Sequence, residues 1–108
     1  MYMPMIKDAT RVKQIEFENH GAVLLKDIVA EGGIGYLYIL MIMNLETKEI
    51  PLVVAAETNE FSDDLFFCAF TPEGHVNYGP HPEVLDIEEF ERQAVELVIS
   101  NLGEKLVG

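Results

Sequence analysis

Eight consecutive apolar residues, Tyr36-Leu37-Tyr38-Ile39-Leu40-Met41-Ile42-Met43, constrain this chain more than any other stretch. A run without charge suits only a buried segment, and it is read here as the central strand of a sheet. A second apolar run, Ile50 to Ala56, follows after the polar connection Asn44 to Glu49. That connection is too short for a parallel crossover, which takes about a dozen residues, so the two runs form an antiparallel hairpin. Both are apolar at both parities, whereas a half-exposed sheet would alternate cleanly. Each face of the hairpin therefore needs cover.

Around this hairpin the sequence predicts an α+β fold. An antiparallel sheet of four to five strands, at about 12–18, 35–44, 50–57, 65–71 and 75–78, carries a C-terminal helix over 87–102. The first strand shows period two, with Ile15 and Phe17 set against Gln14, Glu16 and Glu18. Gly32, Gly33 and Gly35 read as a turn needing positive φ; a phosphate loop would follow a strand and open a helix, and here glycine precedes a strand. Glu57 to Asp64 reads as an exposed acidic loop. Thr71-Pro72-Glu73-Gly74 has the residues of a type I turn, and Gly79-Pro80 should stop the strand after it. In the last element Asp86 is an N-cap, Glu89 lies in capping-box position, and Ile87, Phe90, Ala94, Leu97, Val98 and Leu102 form one stripe ahead of Gly103.

Residues 20–31 fit two descriptions. Ala22, Leu24, Leu25, Ile28 and Val29 share one side of a helical wheel, Lys26, Asp27 and Glu31 the other, and Gly32 is placed to end a helix. Asn19-His20-Gly21 could instead turn a hairpin into a strand. The helix is the tidier fit and is carried forward. One helix is about 10–12 Å across and four or five strands at about 4.8 Å make a wider sheet. The rest of the apolar surface must be covered by that 20–31 helix, by curling of the sheet or by a second copy of the chain, and a homodimer is expected.

Composition bounds the function. With 108 residues, 49% hydrophobic and 24% charged, the chain suits a single folded domain over 1–108, with residues 1–11 as a flexible arm. Its formal net charge is -12, and twelve of the nineteen acids lie at or beyond Glu57. Such a field repels phosphates and anionic lipid, so no nucleic acid and no membrane is expected as partner, and a basic protein is. The N-terminus lacks the apolar core of a signal peptide. The longest uncharged run, Gly32 to Leu45, is short of the about 20 residues that span a bilayer. Cys68 is the single cysteine, which rules out an intrachain disulfide and fits a cytoplasmic setting.

No nucleophile elbow, zincin helix, nucleotide loop or other motif of a known chemistry occurs, and no cofactor is expected. The densest polar stretch is Glu73 to Pro82, where His75, Tyr78 and His81 are candidate catalytic residues. His75 and His81, with Asp63, Asp64 or His20 from elsewhere, are candidate metal ligands. The spacing of His75 and His81 matches no standard zinc pattern. Cys68 with His75 could make a nucleophile pair, but a cysteine within Phe66-Phe67-Cys68-Ala69-Phe70 is expected to be an inert apolar residue. Asp63 and Asp64 with Glu57 and Glu60 could bind a hard cation, without the spacing of a calcium loop. The expectation is a non-enzymatic, acidic, homodimeric interaction module. A metal-dependent or acid/base enzyme, or a small-ligand protein, using residues 73–82 is the alternative.

Overall fold

The computed structural model describes residues 6–30, 35–59, 62–81 and 86–107, and at positions 59, 62–65 and 79–81 it describes the backbone alone. Six strands follow one another, each antiparallel to the last: β1 (Ile6–Glu16), β2 (His20–Ala30), β3 (Gly35–Asn44), β4 (Leu52–Asn59), β5 (Ser62–Thr71) and β6 (Gly74–His81). They lie side by side in that order, and helix α1 (Ile87–Leu102) packs on one face. The α+β class and the C-terminal helix agree with expectation, with six strands in place of four or five.

The extra strand covers residues 20–30 of the segment 20–31 expected to be helical, and Glu31 lies outside the described residues. This strand is β2, hydrogen-bonded to β1 on one side and β3 on the other. A helical wheel weighs side-chain spacing alone, whereas here residues 20–25 pair with β3 and most of the segment pairs with β1, and that tertiary gain overrides a weak local preference. The turn into β2 closes where Phe17 N–H donates to the His20 carbonyl at 2.8 Å. Three further expectations change for the same reason. β1 begins at Ile6, so residues 6–11 form part of an end strand, and residues 1–5 of the expected arm lie outside the described residues. β4 runs to Asn59 and β5 starts at Ser62, which takes up most of the loop expected over 57–64. β6 continues through Gly79 and Pro80 to His81; proline is tolerated there because β6 is an end strand. Gly32 and Gly33 lie outside the described residues, and Gly35 pairs with Thr58 in β3 without a positive φ.

Alternation along the strands sorts the apolar residues into two cores. Ala22, Leu24, Leu40, Ile42, Leu52, Val54, Ala56, Phe67 and Ala69 face α1 and meet Phe90, Ala94 and Val98. Ile39, Val53, Ala55, Cys68 and Phe70 form a second cluster on the opposite face, again buried. Here the chain covers itself. The β1–β2 ladder is interrupted three times, and Asp27 takes φ 49° as the extra residue of a bulge. Leu25 and Ile28 are an odd number of residues apart and would lie on opposite faces of a regular strand; the bulge puts both against the second cluster, with Ile6 of β1. Tyr36, Met41, Ile50 and Phe66 complete the cover. The face is covered by side chains of the same chain, and a second copy is not needed for it.

α1 starts as its sequence dictates. The Asp86 carboxylate accepts from Glu89 N–H at 2.8 Å, a cap that contributes about 1 kcal/mol, and Gly103 ends the helix in the left-handed region at φ 64°. The Glu89 carboxylate accepts from the Arg92 guanidinium and from Gln93 Nε2. Beyond the helix the chain returns to the β1–β2 turn: Leu106 bridges to Phe17, Glu18 N–H donates to the Lys105 carbonyl and Val107 N–H to the Glu16 carbonyl. No helix among the described residues is long and apolar enough to cross a membrane.

Candidate functional site

Of the residues singled out within 73–82, His75 and Tyr78 do not gather at one point. His75 and Tyr78 both lie on β6 but three positions apart, and alternation sends them to opposite faces of the sheet. The His75 ring lies over Phe70 of the second cluster, centroids 4.7 Å apart, while Tyr78 packs against Phe67 on the helix face at 6.3 Å. His81 pairs with Leu65 through the backbone, and Asp63 and Asp64 lie in β5; the side chains of all three are outside the described residues, as is Glu60. His20, a possible third ligand at the sequence level, is buried elsewhere. Its Nδ1–H donates to Glu104 Oε1 at 2.6 Å.

What the fold does bring together is Glu57, Cys68 and His75, from three adjacent strands. One ligand atom from each lies within 4.8 Å of the others. Cys68 occupies the middle strand and is fully buried; it is small, so the longer Glu57 and His75 side chains reach over it from β4 and β6. Glu57 is half-buried and His75 is exposed at the sheet margin. The Cys68 thiol donates to Glu57 Oε2 at 3.0 Å, with the Phe66 carbonyl at 3.6 Å. Burial first, then the hydrogen bond to Glu57 and its negative charge, push this thiol far above its ordinary range. It is a protonated donor, and not the thiolate that a nucleophile needs. Tyr36, opposite Glu57 in the β3–β4 register, is also raised, by burial and then by the negative charge of Glu57. Sequence reasoning paired Cys68 with His75 but placed Glu57 in a loop; only the β4–β5 register, in which Ala55 faces Cys68, makes it a neighbour.

On the helix face, among the described residues, two grooves flank α1. One, of about 580 Å³, lies between α1 and the β5–β6 side and is lined by Phe67, Tyr78, Arg92, Gln93, Glu96, Leu97 and Ser100. Its base is apolar. Its rim carries Glu96, and the Arg92 cation beside it is already engaged by Glu89 and Glu96. The other, of about 570 Å³, runs between β1 and α1 and includes Ile15, Ile99, Leu106 and Val107. The ion pair Lys13–Glu91 crosses it at 2.6 Å.

Comparison with models of known protein families, with curated proteins and with solved structures finds no significant match to this chain.

Proposed function

We propose that the protein is a non-enzymatic interaction module that takes an extended, basic segment of another protein beside β6. The observation that carries this reading is the groove between α1 and β6, with its apolar base, a rim on which Glu96 pairs with Arg92, and an end strand of the sheet at its margin. An end strand offers backbone donors and acceptors to a partner strand, and an adjacent groove gives specificity by taking one of its side chains. Phe67, Tyr78 and Leu97 suit an aliphatic or aromatic anchor. The net charge of -12 and the four glutamates of α1 against one arginine favour lysine and arginine on either side of that anchor. A buried, protonated cysteine fits a reducing compartment such as the cytoplasm.

The reading is tested by titrating fluorescent lysine-rich peptides with and without a central aromatic residue. Binding should require the aromatic residue and weaken with salt as exposed charges are screened. Tyr78→Ala and Glu96→Lys should each reduce affinity by about tenfold or more, as loss of an anchor contact or reversal of a rim charge does. Equal binding of both peptides, or unchanged affinity in Tyr78→Ala, would sink the proposal. The homodimer expected from the sequence now has a narrower basis, because the second face is covered within one chain. The two end strands β1 and β6 remain as its means. Pairing through β6 would compete with the peptide, so light scattering should give twice the 12.2 kDa of one chain and fall toward one chain as peptide is added.

A further inference from the structure

On the face away from the groove, we propose that Glu57, Cys68 and His75 form a binding site for a single divalent transition-metal ion, zinc by its ligand preference. The donor set is one sulfur, one imidazole nitrogen and one carboxylate oxygen. Calcium and magnesium take all-oxygen shells and disfavour sulfur, whereas zinc accepts all three donor types. Distances fit as well. Zinc bonds of about 2.0–2.3 Å in a tetrahedron place ligand atoms roughly 3.3–3.8 Å apart. The three atoms already lie within 4.8 Å, with sulfur and carboxylate at 3.0 Å.

The remaining adjustment falls on the side chains able to make it. Cys68 is fully buried on β5, paired on both sides by β4 and β6, and Glu57 and His75 are the longer and more accessible partners. The exposed imidazole also marks the way in for an ion. Binding exchanges one proton for one metal ion without any redox step: the Cys68 S–H proton, now shared with Glu57, leaves to solvent, and sulfur and carboxylate both bond the metal. Three protein ligands leave a fourth position for water. Tyr36 lies opposite Glu57 on the neighbouring strand β3.

The site is independent of the peptide groove, so either proposal can fail alone. The test uses the full chain with Co²⁺ as the spectroscopic probe and Zn²⁺ as competitor. One equivalent of Co²⁺ should bind with a sulfur-to-cobalt charge-transfer band, and Zn²⁺ should displace it. Cys68→Ser should abolish the band, and His75→Ala and Glu57→Gln should each weaken binding by about tenfold or more. Cys68 is wholly buried, so His75→Ala, an exposed position whose fold is checked by circular dichroism, is the deciding variant. Cobalt binding without the charge-transfer band overturns the proposal, and so does unchanged affinity in folded His75→Ala, or no binding at micromolar metal.

Discussion

Phe90→Asp unfolds or aggregates the protein. Phe90 is fully buried, and its ring meets both Tyr38, at 5.6 Å between centroids, and Phe67, at 5.7 Å. It is thus the point where α1 is fastened to β3 and β5. Truncation to alanine removes those contacts and leaves a cavity, a loss of about 3–5 kcal/mol for a buried phenylalanine. Aspartate adds an unpaired charge in an apolar site, which costs several kcal/mol more. The total reaches the whole stability of a domain of this size, roughly 5–15 kcal/mol. Phe90→Ala should therefore melt well over 10 °C below the parent, and Phe90→Asp should lack a cooperative thermal transition. A melting temperature unchanged in either variant would show that α1 does not hold the sheet in the way described.

Glu104→Ala releases the C-terminal segment from the β1–β2 turn. The Glu104 carboxylate is buried and accepts from His20 Nδ1–H at 2.6 Å and from Asn19 N–H at 3.1 Å. Without it His20 is left buried beside no acceptor at that nitrogen, and the backbone bonds of Glu18 and Val107 lose their support. Amide exchange at those two positions should accelerate roughly tenfold or more, while the β3 and β4 amides change little. The same carboxylate makes stability depend on pH. Burial raises its pKa, but the hydrogen bonds from His20 and Asn19 outweigh burial and hold it below its ordinary 4.5. A group lowered in the folded state stabilises fully above its unfolded value, and that contribution disappears as pH falls through the folded value. The parent should lose stability below the carboxylate's ordinary 4.5 more steeply than Glu104→Gln, and identical acid profiles would show that Glu104 does not govern the acid transition.

How much was legible in the sequence differs sharply between elements. α1 was readable to the residue because its signals are local: a cap at Asp86, a stripe of 3.6 period and a glycine stop. The hairpin of β3 and β4 was readable from two apolar runs and the short connection between them. β2 was not, because Ala22 to Val29 fits a helical wheel as well as a strand, and its pairing with both neighbours is invisible to local spacing. The candidate site divides in the same way. The sequence points to His75 and offers Cys68 beside it, but local density favours Tyr78 and His81 as its companions. Alternation alone shows that a strand sends His75 and Tyr78 apart, so this separation could have been foreseen once 75–78 was taken as a strand. Glu57 had no such signal, since nothing in its neighbourhood distinguishes it from the acids that follow it.

The run from Tyr36 to Met43 required burial on both faces, and that much followed from residue type. Hydrophobicity is a property of single residues, and the period of an element is a property of a few neighbours, so the helix, the central hairpin and the demand for two cores were determined by the sequence itself. What met the demand was decided in three dimensions. The bulge at Asp27 turns β2 so that Leu25 and Ile28 cover the second face, and the register of β4, β5 and β6 assembles Glu57, Cys68 and His75. Register is a long-range choice among pairings of similar local cost, settled by which one buries both faces at once.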